Sequence, residues 1–330
     1  MPNEYISIFI PVYNGGRYLR DSWASLSRQT VSCFRVLYVD DSSTDNSWEI
    51  LQELALSDER IQIYRKTNEG NVPFSWCYVF PKIETEFTLY MSQDDWLAED
   101  CLERLLERQQ ETQADAVVCT VEFYQGGGVT APRIDAGVKG DLTPILSGRQ
   151  AYELALDYSI PGFCLWRTEL IREVGMKTDA YNSDELAQRL WFLHSPVVAF
   201  SSGRFYYRQD NPQAITKTFS YQKYSSVLTD IHLYESMLSE GVEPALRNRL
   251  KGRYFSTVLY LNAVFLCRRQ SYTKEQQQEV QHIMSEGRRI FSPLPWVSAH
   301  NAATWLAARN VVFFWLISFL FAWRLHTKND

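Results

Sequence analysis

Apolar runs and helically spaced apolar positions alternate over the first 125 residues of the chain. Short runs rich in β-branched and aromatic residues predict strands over 5–12, 34–39, 61–65, 87–91 and 116–123. Between them, apolar residues at helical spacing predict helices over 18–27, 48–56 and 101–112. Alternation of this kind is typical of an α/β protein with a doubly wound, mainly parallel sheet.

The pattern changes after residue 125. Glycine and proline over 125–148 predict a connection, after which the elements expected are a helix near 150–156, a helix from 181–185 through 194, and strands over 197–200 and 205–208. From residue 221 the spacing is helical throughout, over 221–239, 244–268, 274–290 and an apolar tail at 302–323. We therefore predict an α/β domain over 1–218, with halves 1–125 and 126–218, and a helical region over 219–330.

Charge is divided unevenly between these regions. Residues 1–244 carry 21 basic and 35 acidic side chains, a net charge of −14, whereas residues 245–330 carry 12 and 4, a net charge of +8, and the two add to −6. A net acidic chain argues against a nucleic-acid partner. The apolar run 311–323 is shorter than the roughly 20 residues that span a bilayer and is followed by Arg324, His326 and Lys328. Two interpretations stay open: a helix in contact with a membrane surface, or a helix packed in the core or in a dimer.

Six cysteines occur without a CxxC pair. This spacing disfavours a metal knuckle or a redox dithiol, and we expect buried thiols in a reducing compartment. The first residues lack a basic region followed by an adequate apolar stretch, so we expect no secretory signal there.

Polar side chains follow the ends of three predicted strands. They are Asn14, the pair Asp40 and Asp41, and the pair Asp94 and Asp95. In open α/β sheets ligands bind at this edge, but neither a GxGxxG nor a P-loop pattern is present. Carboxylates gathered there are tolerated when a cation lies among them, and with a phosphate ligand they favour Mg²⁺ or Mn²⁺. For either pair alone, a solvated loop or a helix cap remains the alternative.

The segment 6–51 resembles the N-terminal half of family 2 glycosyltransferases with the GT-A fold. The motifs that carry the resemblance are Pro11-Val12-Tyr13-Asn14, Ser25 with Gln29-Thr30, Val39-Asp40-Asp41-Ser42-Ser43-Thr44-Asp45, Asn68-Glu69-Gly70, and YMSQDDWLAED, which is similar to the DxD segment of the family. The resemblance extends over about the first 210 residues. It implies the fold class: α/β, a doubly wound mixed sheet of the GT-A type, here with a C-terminal helical extension.

The resemblance also implies roles in binding a nucleotide-sugar donor. The residues implied are Pro11, Val12, Tyr13, Asn14, Asp40, Asp41, Asn68, Ser92, Gln93, Asp94 and Arg208. Asp94, with Asp95 beside it, is implied to hold Mn²⁺ or Mg²⁺ on the diphosphate. Ser92 stands where the family has the first DxD carboxylate, which bears on ribose contact and metal affinity.

Inverting members of the family use an aspartate at a helix start to deprotonate the acceptor hydroxyl. The corresponding cluster here is Ser183-Asp184-Glu185, which implies Asp184 as the catalytic base. Ser183 departs from the family pattern, which has glutamate there. Glu185 as the base and a purely capping role for Asp184 are the alternatives.

The resemblance thus implies an inverting, metal-dependent glycosyltransferase. Its donor is expected to be a UDP-sugar and its acceptor a hydroxyl of a glycan or lipid-linked molecule in cell-surface polysaccharide synthesis. The expected location is the cytoplasm, as a peripheral protein on the inner face of the membrane, and an oligomer stays open. A sugar-1-phosphate nucleotidyltransferase is disfavoured because 14–17 (NGGR) matches its glycine-rich loop poorly. A degenerate nucleotide-sugar-binding subunit, suggested by Ser92 and Ser183, is the remaining alternative.

Overall fold

The computed structural model describes residues 5–130, 134–215 and 217–326. These residues form nine strands and twelve α-helices. In chain order they are β1 Ile6–Val12, α1 Gly16–Ser27, β2 Phe34–Asp40, α2 Ser47–Ser57, β3 Ile61–Arg65, α3 Val72–Val79, β4 Phe87–Tyr90, β5 Trp96–Leu97, α4 Cys101–Thr112, β6 Ala116–Gln125, β7 Gly128–Val129, α5 Gly148–Leu156, β8 Cys164–Arg167, α6 Thr168–Val174, α7 Ser183–His194, β9 Val198–Arg208, α8 Ser226–Ser239, α9 Pro244–Arg268, α10 Lys274–Phe291, α11 Ala302–Arg309 and α12 Val311–His326.

All the strands belong to one mixed sheet, whose order is β3-β2-β1-β4-β8-β6-β9-β5, with β7 paired to β6. The neighbours β3, β2, β1 and β4 are parallel, whereas β8 runs antiparallel to both β4 and β6. In the parallel part, Val12 pairs with Asp40 and Phe9 with Tyr90. The carboxyl ends of β1, β2 and β4 therefore meet at one edge, which we call the strand-end edge.

Burial on both faces explains why β1 and β2 read as continuous apolar runs. Every residue of β1 except Pro11 is buried, and so is every residue of β2 except Arg35. A strand covered on both faces has no position where a polar side chain reaches water, so alternation is lost. Helix α1 instead buries one stripe, with Leu19, Trp23 and Leu26 against the sheet core.

The chain divides into two compact units. Within the described residues, the first comprises the chain up to Lys177 together with Ala187–Phe219, and the second comprises Thr178–Leu186 together with the chain from Ser220 onward. The predicted domain boundary at residue 218 stays a prediction. In the second unit the long helix α9 packs against α8, α10, α11 and α12.

Several predicted elements differ from the observed ones. The two strands predicted at 197–200 and 205–208 are one strand, β9, and the helix predicted over 302–323 is divided into α11 and α12. Asn310 lies at the division, where its Oδ1 accepts a hydrogen bond of 2.8 Å from the amide of Val312. Helices α3 and α6 and the strands β5, β7 and β8 were not predicted.

The six cysteines are all free, but only half of them are buried. Cys101, Cys119 and Cys164 are buried as predicted, Cys33 and Cys77 are half-buried, and Cys267 is exposed. The expectation of buried thiols is therefore wrong for Cys267, which lies near the end of α9. In the part of the chain that the structure describes, no helix is both long and apolar enough to cross a membrane.

Candidate active site

The loop after β1 is held by the side chain of Gln93. The amide of Tyr13 donates a hydrogen bond of 2.9 Å to Gln93 Oε1, and Gln93 Nε2 donates one of 3.0 Å to the carbonyl of Tyr13. A Cβ at Gly15 would lie 2.1 Å from Gln93 Oε1, so a larger residue at position 15 would displace this side chain. Gln93, predicted to bind donor, thus positions the predicted donor loop, and the side chain of Tyr13 is exposed.

Asn14 ties the loop after β1 to the loop after β2. Its backbone has a φ of 50°, a conformation that asparagine tolerates better than most residues. Its Oδ1 accepts hydrogen bonds from the amides of Thr44, at 2.8 Å, and Asp45, at 3.3 Å, while its own amide donates to Ser43 Oγ at 2.9 Å. The presence of asparagine at position 14 of the motif is therefore explained in part by its backbone conformation and its hydrogen bonds between the two loops.

Asp45 joins the starts of helices α1 and α2. Its Oδ2 accepts a hydrogen bond of 3.1 Å from the amide of Gly16, and its Oδ1 accepts one of 3.0 Å from the amide of Ser47. Partial burial raises the pKa of Asp45, but the hydrogen bonds from Ser47 and Gly16 outweigh this effect, and the pKa lies below its usual value. Asp45 therefore holds together the starts of α1 and α2, which follow the loops after β1 and β2.

Asp40 and Asp41 have different exposure. The side chain of Asp40 is 0% exposed and pairs with Arg65, whose Nε lies 3.0 Å from Oδ2. The side chain of Asp41 is 11% exposed, and its Oδ1 lies 2.6 Å from Nζ of Lys66. Burial raises the pKa of Asp41, while its hydrogen bond to Lys66 acts in the opposite direction. Of the two predicted donor contacts, Asp41 is the less deeply buried.

Residues 92–95 form a tight turn after β4, which we call the Asp94–Asp95 turn. The amide of Asp95 donates a hydrogen bond of 3.1 Å to the carbonyl of Ser92. Asp95 is buried, and its Oδ1 accepts from the amide of Arg208 at 2.9 Å. Its Oδ2 has no hydrogen-bond partner among the residues that the structure describes. Burial, assisted by the charge of Asp94, raises the pKa of Asp95 well above its usual value.

Asp94 is half-buried and is held from the end of β9. Its Oδ2 accepts a hydrogen bond of 2.6 Å from Nδ2 of Asn211, and its carbonyl accepts one of 2.8 Å from Nε of Arg208. Asn211 itself is buried. These contacts fix both the backbone and one carboxylate oxygen of Asp94.

The guanidinium of Arg208 lies among aromatic rings. Its centre is 4.7 Å from the ring of Trp96, 5.0 Å from Tyr18 and 5.7 Å from Tyr124. A cation over aromatic faces is attracted by their quadrupoles and loses conformational freedom. In this arrangement Arg208, predicted to bind donor, positions Asp94 through its Nε.

The remaining predicted donor residues lie at or near the same edge. Val12 is buried, Pro11 is half-buried, and the carbonyl of Val12 accepts a hydrogen bond of 2.8 Å from the amide of Asp41. Ser92 Oγ lies 3.3 Å from the hydroxyl of Tyr90. Asn68 is exposed, and its Oδ1 accepts from the amide of Gly70 at 2.7 Å, which forms a local turn.

Asp184 belongs to the second compact unit, whereas the strand-end residues belong to the first. It is half-buried in the first turn of α7, where the helix dipole favours an anion. Ser183 is buried, and its Oγ accepts a hydrogen bond of 3.1 Å from the amide of Ala180 and donates one of 3.1 Å to its carbonyl. The hydroxyl of Ser183 is therefore used in local structure, and the base assignment of Asp184 stays a prediction.

Sequence reasoning missed Asn211 and Lys66. Lys66 lies two residues before the motif Asn68-Glu69-Gly70, and its Nζ is also 2.9 Å from Oε2 of Glu69. The position of Lys66 could have indicated its role, because a lysine close to a motif can form an ion pair with a carboxylate such as Asp41. The residue type does not mark Asn211 itself, because its partner Asp94 is 117 residues away along the chain.

Few of the described side chains could coordinate a divalent cation. Among the residues that the structure describes, no three or more His, Cys, Asp or Glu side chains form a group that could hold a metal ion. Mg²⁺ and similar cations are commonly held by one or two carboxylates together with substrate phosphates. A single fixed carboxylate, Asp94, fits coordination shared with substrate phosphates. The buried side chain of Asp95 fits a supporting role better than direct coordination.

The mixed sheet, with its acidic turns at the strand-end edge, agrees with the GT-A fold that the sequence predicts. The family model for Glycosyl transferase family 2 matches residues 7–175, about half of the chain. The chain belongs to that family, and the predictions of family, fold class and enzyme class are confirmed.

Three known proteins illustrate the relationship. Glycosyltransferase GlyG of Streptococcus pneumoniae is 28% identical over 217 residues, which cover 63% of this chain and 71% of GlyG. The crystal structure of residues 1–349 of Staphylococcus aureus TarS, in complex with UDP-GlcNAc, has a TM-score of 0.66 at 15% identity and covers 96% of this chain and 89% of that one. The mannosyltransferase PcManGT of Pyrobaculum calidifontis, in complex with GDP-Man and Mn²⁺, has a TM-score of 0.53 at 11% identity, with coverage of 96% and 86%. At these identities the structural matches establish the fold.

Proposed function

We propose that this family 2 glycosyltransferase is inverting and metal-dependent, with a UDP-sugar as donor. Its acceptor is a hydroxyl of a glycan or of a lipid-linked molecule in cell-surface polysaccharide synthesis. The observation that carries the proposal is the Asp94–Asp95 turn, in which Asn211 binds the carboxylate of Asp94 and Arg208 binds its backbone carbonyl. The TarS complex with UDP-GlcNAc supports the choice of donor class.

The donor is proposed to lie along the strand-end edge. Asp41 is the less deeply buried of the two carboxylates after β2, and the side chain of Tyr13 is exposed. These two side chains are assigned to the base and ribose. Asn14, Asp40 and Gln93 support them by holding the two loops. Pro11, Val12, Asn68 and Ser92 remain proposed contributors.

Mn²⁺ or Mg²⁺ is proposed to be held by Asp94 together with the donor diphosphate. A bound divalent cation would offset the negative charge that develops on the leaving diphosphate. Asp95 anchors the turn through the amide of Arg208, and Arg208 fixes the carbonyl of Asp94. The Mn²⁺ complex of PcManGT supports this proposal by analogy of fold.

Asp184 is proposed as the base that takes the proton of the acceptor hydroxyl as that oxygen attacks the anomeric carbon. Attack from the side opposite the nucleotide would give a product of inverted configuration. The first turn of a helix keeps a carboxylate ionised, which a base requires. The six free cysteines support a reducing location such as the cytoplasm, with lipid-linked acceptors reached at the inner face of the membrane.

The test compares two neighbouring carboxylates. Asp184→Asn should bind a UDP-sugar in the presence of Mn²⁺ as the unmodified protein does, while its transfer rate falls by about 10²–10⁴-fold. Glu185→Gln is the matched control and should keep transfer. Loss of transfer in Glu185→Gln alone would move the base to Glu185, and normal transfer by both variants would refute the base assignment.

The alternative function, a nucleotide-sugar-binding subunit without transfer activity, is tested with the unmodified protein. Donor binding that depends on Mn²⁺, without transfer to any glycan or lipid-linked acceptor, would favour a nucleotide-sugar-binding subunit. Donor binding that is equal with and without a chelator would contradict the metal proposal.

A further inference from the structure

Helix α12 has two apolar faces, and only one of them is covered. Phe314, Ile317, Ser318 and Ala322 are buried, and the helix packs against α9 in the second unit. Phe321 and Leu325 are half-buried, and eight other large apolar side chains are exposed by 41% to 68%. They are Val311, Val312, Phe313, Trp315, Leu316, Phe319, Leu320 and Trp323, which we call the exposed face of α12.

The exposed face is one continuous stripe. Val311, Trp315 and Phe319 are four residues apart, as are Val312, Leu316 and Leu320, and residues four apart lie above one another on a helix. An aromatic side chain offers about 150–250 Å², so eight large side chains about half exposed present on the order of 700 Å². Single soluble domains rarely expose an apolar patch larger than roughly 600 Å², and larger patches mark interaction sites.

The chain around the exposed face is strongly biased in charge. Residues 287–329 contain no Asp or Glu, but they contain Arg288, Arg289, Arg309, Arg324 and Lys328. Arg309 directly precedes Asn310 and α12, and Arg324 lies in its last turn; both are exposed, whereas Lys328 lies outside the described residues. The apolar stripe is therefore bounded at both ends by cations.

We propose that the exposed face of α12 docks on the surface of an anionic lipid bilayer. Apolar side chains would enter the interfacial region, Trp315 and Trp323 would place an apolar ring and a polar N–H at the boundary, and Arg309 and Arg324 would meet anionic headgroups. Because α12 has 16 residues, it is about 24 Å long and does not reach across a hydrocarbon core of about 30 Å. The contact is therefore peripheral, with α12 lying against the bilayer surface.

Charge disfavours a second copy of the chain as the occupant. A twofold contact between two such faces would bring Arg309 and Arg324 of one copy near the same residues of the other. Like charges that face each other in an interface weaken it. An anionic bilayer complements both the apolar stripe and the cations at its ends.

The first test measures binding of the full chain to vesicles, without donor or acceptor, so that its outcome does not depend on the proposed transfer reaction. The chain should sediment with vesicles of an equal mixture of phosphatidylcholine and phosphatidylglycerol, and more weakly with phosphatidylcholine alone. Phe319→Gln combined with Trp323→Gln should lower the affinity by more than about tenfold, because each side chain loses apolar burial. Absence of binding to the mixed vesicles would overturn the proposal.

Matched variants separate the apolar and the charge contributions. Leu56→Gln combined with Leu238→Gln removes two exposed leucines outside α12 and should leave vesicle binding unchanged. Arg309→Gln combined with Arg324→Gln should weaken binding to the mixed vesicles by about fivefold per residue and leave binding to phosphatidylcholine alone unchanged.

Light scattering of the same samples tests the competing occupant. The unmodified chain without vesicles should show the same mass as Phe319→Gln combined with Trp323→Gln. A dimer that this double variant dissociates, together with absent vesicle binding, would assign the exposed face to a second copy instead. Thermal unfolding of every variant should match the unmodified chain, since the substituted side chains are exposed.

Discussion

Asp94 and Asp95 are adjacent in the chain but have different surroundings. The carboxylate of Asp95 is buried and anchors the turn through the amide of Arg208, whereas Asp94 is half-buried and is held by a side-chain amide from Asn211. A ligand at this edge can therefore reach Asp94 more directly than Asp95. We therefore propose that Asp95 supports the turn and that Asp94 contacts the ligand.

At this scale we predict that Asn211→Ala weakens Mn²⁺-dependent donor binding. Without the amide, Oδ2 of Asp94 loses its 2.6 Å hydrogen bond and the carboxylate is free to rotate. Hydrogen bonds to charged groups contribute about 1.5–3 kcal/mol, so the Kd for a UDP-sugar with Mn²⁺ should rise by roughly tenfold or more. Isothermal titration calorimetry measures the change.

Gln213→Ala is the control for that prediction, because Gln213 contacts Asn211 through its backbone amide only among the contacts described. Its Kd should equal that of the unmodified protein. A normal Kd for Asn211→Ala would show that Asp94 does not need this partner, and the proposed role of Asp94 would then depend on Arg208 alone.

Sequence motifs identified most of the strand-end residues but not what each one does. Asn14, Asp40 and Gln93 belong to predicted motifs, yet their hydrogen bonds hold loops together. Motifs record which residue types a site requires, without separating contact with ligand from support of a neighbour. Asn211 could not be found at all, because only the folded sheet brings it to Asp94.

At the scale of elements, the starts of α1 and α2 depend on one carboxylate. We predict that Asp45→Asn lowers the free energy of unfolding by about 1 kcal/mol at pH 7, a value typical of lost helix-start hydrogen bonds and limited by the exposure of Asp45. The pKa of Asp45 is lowered in the folded state. Its contribution is therefore present above the unfolded pKa and is lost as the pH falls through the folded pKa.

Urea unfolding at pH 7 and near pH 3 checks this prediction. The difference between the unmodified protein and Asp45→Asn should shrink as the pH falls, while Asp21→Asn, which replaces an exposed carboxylate on α1, should show little difference at either pH. A difference that stays constant with pH would mean that the charge of Asp45 does not matter.

A close helix contact in the second unit gives another prediction. A Cβ at Gly252 in α9 would lie 1.7 Å from the carbonyl oxygen of Ser298, so Gly252→Ala requires the turn Trp296–Ser298 to move. Overpacking costs about 1–3 kcal/mol, more than the helix propensity gained by alanine, about 1 kcal/mol. The free energy of unfolding should fall by up to about 2 kcal/mol, measured by thermal or chemical unfolding.

Gly128→Ala serves as the comparison, since nothing lies within 4 Å of a Cβ built at Gly128. That variant should unfold like the unmodified protein. If Gly252→Ala were equally stable, the turn at Trp296–Ser298 would be free to shift without loss.

Elements with clear periodicity and clear ends were predicted with correct bounds, as for β3, α4 and α9. The missed helix α3 is apolar on most sides and carries Pro73 near its start, so it lacks the stripe that identifies a surface helix. Strand β9 was predicted as two pieces because Ser201, Ser202 and Gly203 read as a turn. In the sheet the pairing of β9 with β6 shifts register nearby, and a Cβ at Gly203 would lie 2.8 Å from the carbonyl of Cys101.

At the scale of the whole molecule, the net charge of −6 averages two unlike parts of the chain. The excess of acidic residues lies in 1–244, which contains the strand-end carboxylates, and the excess of basic residues lies in 245–330, which contains α12. The sequence alone indicated this division of charge. The sequence could not show that only one face of α12 is covered, because this depends on the packing of α12 against α9.

Global stability provides the last prediction, because a ligand that binds only the folded state stabilises the whole protein. At 100 times its Kd, a nucleotide sugar should add about 2.7 kcal/mol to the free energy of unfolding, or roughly 5–10 °C in Tm for a domain of this size. We expect this shift from UDP-sugars with Mn²⁺, a smaller one from GDP-sugars, and none with a chelator. Asp94→Asn should abolish the Mn²⁺-dependent part of the shift, whereas Glu185→Gln should retain it. An equal shift for Asp94→Asn, or one that survives chelation, would remove Asp94 from the metal site and leave the donor bound by the strand-end loops alone.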